Sequence, residues 1–173
     1  SPEMREFLLR TCVVDQLDPG LVAVLTGHPH DARALRFIAN GNAFVEPVPA
    51  RRGCFRYQPL FREFLRSQLA FESPASVPEL HRAAAEWLAE QGRLPAAIRH
   101  AVAAEAWTAA TRYVVEGLCF AGLLTGDRRA VPKDLFARLP VTTAGAEAAV
   151  TRATLALVEQ DTDRCALELR TAR

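Results

Sequence analysis

Lysine and methionine are almost missing: Lys133 and Met4 are the single examples of each in 173 residues, so arginine carries nearly all of the positive charge. Basic and acidic residues number 21 and 20, a net charge of +1. That balance excludes the strongly basic surface of a domain held on nucleic acid through its phosphates. No apolar run approaches the ~20 residues that a membrane-crossing helix needs. A GxxxxGK[ST] phosphate loop is absent, since Lys133 follows Ala-Val-Pro. So are HExxH and the GxSxG elbow. Cys12, Cys54, Cys119 and Cys165 form no CxxC pair. They read as buried free thiols in a reducing cytoplasm, with one disulfide pair as the alternative. Among the four histidines, His28-Pro29-His30 comes nearest to a metal site but needs a further ligand, so an interhelical turn is the simpler reading. His81 and His100 fall on helical segments as surface or core residues.

What is present is helix. Half of the residues are apolar, and the chain is long enough for one domain or two small ones. It starts SPEMREFLL, without an initiator Met or a signal-peptide pattern, and is expected to be a piece of a longer protein. Ser1 and Pro2 predict an N-cap and first-turn proline for a helix to about Arg10. LVAVLTG (21–27) is a short helix closed by glycine. DARALRFIAN (31–40) is a third, with Leu35 and Ile38 on its inner side and Arg33 and Arg36 on the other. AFVEPV (43–48), the turn PARRG, and CFRY (54–57) then predict two short strands. Three helices followed by a two-stranded wing have the order of a winged helix. LFREFLRSQL (60–69) follows as a helix opened by Pro59, with Leu60, Phe61, Phe64, Leu65 and Leu69 expected on one apolar face.

SPASVP (73–78) is the predicted linker between a winged-helix-like domain, 1–72, and helical repeats, 79–173. Three later segments align: LAEQGRLPAA (88–97), GLLTGDRRAV (122–131) and LVEQDTDRCA (157–166). Gly92, Gly126 and Asp161 match, as do Ala97, Val131 and Ala166. A period of about 34 residues with a turn between two helices is the tetratricopeptide pattern. The fold class expected is therefore mainly α: a winged-helix-like domain with a small β-hairpin wing, then tetratricopeptide-like hairpins. Trp87 and Trp107 lie in the repeat region and read as packing residues, with a ligand groove as the alternative. No carboxylate pair is isolated in an apolar setting. Residues 1–72 hold nine Arg against eight Asp and Glu. The groove-facing helix of a DNA reader would offer only Arg33, Arg36 and Asn40, with Arg51, Arg52 and Arg56 from the wing. Direct DNA contact is not expected.

The succession EFLLRTCVVDQL (6–17), ALRFIANGNAFVEPV (34–48), CFRYQPLFREFLRSQL (54–69) and PELHRAAAEWLAEQGRLPAAIRHAVAAEAW (78–107) resembles the large ATP-dependent LuxR-type transcriptional regulators, such as the activator of the maltose regulon in enteric bacteria. The likeness covers roughly residues 6–116. It implies a bacterial, cytoplasmic regulator with an ATPase domain upstream, further repeats that sense a small-molecule or protein inducer, and a C-terminal DNA-binding domain. This chain would be the non-catalytic relay between them, with ATP or ADP held upstream and the ATPase domain and remaining repeats as partners. Where that family has a histidine near bound ADP, this chain has Gln58, which can donate a hydrogen bond but cannot become cationic. Arg51, Arg52, Arg56 and Gln58 are the resulting candidates for an interdomain or nucleotide-sensing contact. A tetratricopeptide-type interaction scaffold is the alternative, and a stand-alone winged-helix repressor is a weaker one.

Overall fold

Ser1 Oγ accepts from the backbone N–H of Met4 at 3.3 Å, and Pro2 takes the first-turn position of helix α1, Pro2–Thr11. In this computed structural model the described residues are 1–28, Leu35, Ile38, 44–49, 51–125 and 131–172. Contacts divide the chain into two compact units, Ser1–Trp87 and Leu88–Arg173.

In the first unit, Asp18 caps α2, Pro19–Thr26, by accepting from Gly20 N, and Gly27 closes it at φ 80°. A side chain at Gly20 would collide with the indole of Trp87 at 2.9 Å, so the backbone of α2 is the seat of that tryptophan. The expected helix 31–40 lies mostly outside the described residues. Leu35 and Ile38 are helical and buried, on the inner side as predicted. The wing is an antiparallel pair, β1 (Val45–Pro47) and β2 (Phe55–Tyr57), in the register Val45↔Tyr57, Glu46↔Arg56, Pro47↔Phe55. A bridge from Leu17 to Phe55, bonded in both directions at 2.7 and 3.1 Å, ties the wing to the segment after α1. Beneath the wing the Tyr57 hydroxyl meets Thr11 Oγ1 at 2.7 Å. Thr11 sends its own proton to the Phe7 carbonyl, so Tyr57 donates here.

Helix α3, Pro59–Glu72, departs from expectation in one respect. Its apolar residues do not share one face. Leu65 and Leu69 are buried, with Phe61 beside them stacked on Phe44 at 4.8 Å, whereas Leu60 and Phe64 point to solvent. At 100° per residue Leu60, Phe64 and Phe71 fall within about 40° of one another, opposite Leu65 and Leu69. Of the segment 73–78, only Ser73–Ala75 form a turn; Ser76 already opens α4, Ser76–Glu90.

The second unit is built from α5 (Leu94–Ala103), α6 (Trp107–Glu116), α7 (Phe120–Thr125), a 3-10 turn (Lys133–Phe136), α8 (Ala146–Val158) and α9 (Thr162–Thr171). Successive pairs α5–α6 and α8–α9 pack together. Helix ends here are uniform. Gly92, Glu105, Leu118 and Gln160 all sit at positive φ, after α4, α5, α6 and α8 in turn. At each, the next residue's N–H reaches back to the carbonyl five residues before it: Arg93 to Leu88, Ala106 to Ala101, Cys119 to Val114, Asp161 to Ala156. This is the Schellman arrangement, which satisfies the orphan carbonyls of a last turn. The structural counterpart of Gly92 is thus Gln160, 68 residues on, and not Asp161, which is the N-cap of α9. Gly126, the middle of the aligned set, lies outside the described residues. Around it regularity fails: α6 stops at Gly117, whose missing side chain leaves room for Leu94 Cδ1, and a 3-10 turn stands in the place of a second helix. Val131 and Ala97 are buried, but Ala166 is exposed on α9, which buries none of its residues.

Candidate functional site: the wing and its junction with helix α3

The wing turn is held by backbone bonds. Val48 N donates to Cys54 O at 2.9 Å, Arg51 N to Val48 O at 3.0 Å, and Cys54 N to Arg51 O at 3.1 Å, with Gly53 at φ 80° supplying the reversal. This puts Arg51 and Arg52 at the tip, both exposed. Arg51 Nη1 donates to Gln16 Oε1 at 3.3 Å.

Because Glu46 faces Arg56 across the hairpin, side chains two residues apart on β2 and its extension converge on one carboxylate. Arg56 donates to Glu46 Oε2 from Nε and Nη2, at 3.4 and 3.2 Å. Gln58 Nε2 donates to Glu46 Oε1 at 3.3 Å. The Gln58 backbone N–H goes to Phe44 O at 2.9 Å, which closes the ladder where α3 begins. Gln58 occupies the N-cap position of α3 but makes no side-chain cap bond. Its amide therefore serves the wing and not its own helix. The Arg56–Glu46 pair is about half exposed on both sides, and such pairs contribute roughly 0–1 kcal/mol. The cluster is a positioned group of polar donors at modest energetic cost to rearrange.

Of the four candidates, then, Arg56 and Gln58 come together, Arg52 shares only the wing tip, and Arg51 turns to Gln16. Glu46 was missed. The signal that could have found it is register: a two-stranded wing pairing Val45 with Tyr57 must set Glu46 against Arg56. Cys12, Cys54, Cys119 and Cys165 are all free thiols, and burial pushes the Cys12 thiol up to about 11. No cluster of three or more His, Cys, Asp or Glu able to hold a metal occurs among the described residues. None of the described helices is long and apolar enough to cross a membrane.

Residues 1–77 match the family model described as the MalT winged helix domain. Over these residues the chain is similar to that family. The matched segment runs from the Ser1 cap to the opening turn of α4, and so contains the whole Glu46–Arg56–Gln58 cluster. Two relatives named HTH-type transcriptional regulator MalT, from Klebsiella pneumoniae subsp. pneumoniae and from Klebsiella pneumoniae strain 342, are each 38% identical over 101 residues. The match takes in 58% of this chain and 11% of each relative. The chain spans about a tenth of the length of the curated relatives it matches.

Proposed function

We propose that this chain is a non-catalytic signal-relay module of a cytoplasmic, ATP-dependent LuxR-family transcriptional regulator. It couples an ATPase domain upstream to a repeat sensor and a DNA-binding domain downstream. The observation that carries the reading is the junction of wing and α3, where Gln58 and Arg56 share Glu46 within a MalT winged helix. A nucleotide held by the upstream domain would supply an anionic phosphate. Arg52 is exposed and Arg51 donates to the neutral side chain of Gln16, so both suit an anion. Gln58 suits it only by exchanging the Glu46 carboxylate for a phosphate oxygen, because its amide donates to Glu46. Two alternatives for one amide, each worth about 1.5–3 kcal/mol to a charged acceptor, make a bistable contact that a distant signal can rebalance. The boundary between the relay and the repeats is placed in this reading at 73–78.

The test is made in the full-length parent. Gln58→His slows ADP release and holds more protein at rest, with a larger effect below pH ~6.5, where an unperturbed imidazole is charged. Gln58→Ala speeds release and raises basal transcription. Unchanged off-rates in both variants would remove the nucleotide role from Gln58. The chain alone has no phosphate loop, so calorimetry with ATP or ADP is expected to show no micromolar binding. A mobility shift surviving competitor DNA at about 150 mM salt would favour the repressor reading instead.

A further inference from the structure

Three N–H groups of the wing converge on one carboxylate, and none of them holds it closely. Arg56 reaches Glu46 Oε2 from Nε and Nη2 at 3.4 and 3.2 Å, and Gln58 Nε2 reaches Oε1 at 3.3 Å. Bonds between a guanidinium and a carboxylate ordinarily close to about 2.7–2.9 Å. Register explains the slack. Glu46 and Arg56 are directly opposed across the hairpin, which sets their Cβ atoms only about 4.5–5.5 Å apart. Two long side chains must fold sideways to meet over so short a span. As a result Nε and Nη2 share one oxygen, and the parallel fork that a guanidinium offers an oxoanion is left unmade.

The donors, by contrast, are well placed. Arg56 stands on a laddered strand, and the Gln58 backbone N–H is fixed to Phe44 O at 2.9 Å. The Gln58 amide is not spent on capping α3. The side chains of Arg56 and Glu46 are 56% and 42% exposed, so an anion can approach the donors from solvent. Three donors call for three acceptors. A carboxylate has two oxygens, whereas a terminal phosphoryl group has three, one for each arm of the Arg56 fork and one for Gln58.

We propose that Glu46 is a tethered stand-in for a ligand: its carboxylate occupies an oxoanion site made by Arg56 and Gln58 and keeps it closed until a phosphoryl group takes its place. The proposal rests on the reading of this junction as the side that meets a nucleotide, and it names the residue that sets the threshold. A competitor tethered this closely acts at an effective concentration of about a millimolar or more. Dilute phosphate is therefore turned away, and only a phosphoryl group presented at comparable local concentration displaces Glu46.

Titration of the 173-residue chain with inorganic pyrophosphate at constant ionic strength tests this. NMR signals of the Gln58 side-chain amide and of the Arg56 Nε–H report on the site. The native chain shows no saturable shift below about 10 mM. Glu46→Gln keeps the side chain's size and removes its charge, and should bind about tenfold or more tightly, with both signals saturating together. Adding Arg56→Gln abolishes that gain. Acetate, with two oxygens for three donors, gains several-fold less. In the full-length parent, Glu46→Gln slows ADP release. A Glu46→Gln chain that melts like the native one yet binds pyrophosphate no more tightly overturns the proposal. So does a native chain already saturated below a millimolar, and equal gains for acetate and pyrophosphate overturn the phosphoryl assignment. The relay reading fails separately: a pyrophosphate gain in Glu46→Gln, with ADP release unchanged in every Glu46 and Gln58 variant of the parent, upholds the gate and removes the nucleotide from it.

Discussion

Burial on α4, with the cations Arg66 and Arg62 of α3 facing it, holds the His81 imidazole down at about 4, against 6.5 in water. The folded chain therefore resists a proton that the unfolded chain accepts. Stability is complete above pH ~6.5 and falls as the pH drops from there towards 4, by up to roughly 3 kcal/mol. Thermal melts across that window should show the decline, and His81→Gln should flatten it. Arg62 has a second duty, pairing with Asp15 and donating to Cys12 O at 3.2 Å, which hold it in place. Gln58→Ala is expected to cost the isolated chain no more than about 1.5–3 kcal/mol, through the lost bond to the Glu46 carboxylate. A larger loss would mean that the side chain had been supporting the start of α3. At this scale the sequence was partly legible. Arg56 and Gln58 stand out as polar residues at a strand-to-helix junction. Glu46 does not, because its meaning comes from the residue opposite and not from its neighbours in the chain.

Among the elements, the four Schellman ends of α4, α5, α6 and α8 were visible only where glycine marked one. Glu105, Leu118 and Gln160 adopt the left-handed conformation against their own preference, at about 1 kcal/mol each. Replacing Glu105 or Gln160 by glycine should therefore stabilise the chain by about 0.5–1 kcal/mol, whereas Gly92→Ala should destabilise it by a similar amount. Urea midpoints for the three variants give the signs directly. The α8–α9 hairpin depends on a different device. Arg152 is almost wholly buried, with Nε on Glu168 Oε2 at 2.8 Å and Nη1 on Thr143 O at 2.9 Å. Arg152→Met leaves the nearly enclosed Glu168 carboxylate without its cation and should cost about 3–5 kcal/mol, much of it recovered in Arg152→Met with Glu168→Met. Periodicity on α3 misled for a related reason. It reports that apolar residues share helical spacing, not which of two opposed apolar stripes meets the core.

For the whole molecule, the order α1, α2, wing and α3 was legible because each transition carries punctuation: the Ser1 cap, Asp18-Pro19, Gly27, the Pro47–Gly53 turn and Pro59. The second unit has less. A period of about 34 residues could be read there, but nothing in the letters sets the 3-10 turn Lys133–Phe136 apart from a second helix. Helix α9 leaves Leu167 and Leu169 exposed, and Leu157 of α8 is exposed as well. If the relay is followed by further repeats, these three leucines are the seat of the next hairpin. Joining one more hairpin of the parent after residue 173 should then raise the melting temperature and lower the exposure of apolar dye-binding surface; no change in either would argue against a continuing stack.

Those uniform helix ends bear on what such a chain tolerates at its turns. A stop made by two backbone bonds asks little of any particular side chain. Glycine there is an advantage of about 1 kcal/mol, well inside the 5–15 kcal/mol margin on which a folded domain lives. A residue other than glycine can therefore stand at such a turn, as at 105, 118 and 160, while the turn keeps its shape. Helix ends of this kind are specified by backbone geometry, and a reader of the letters alone finds only the one that glycine marks.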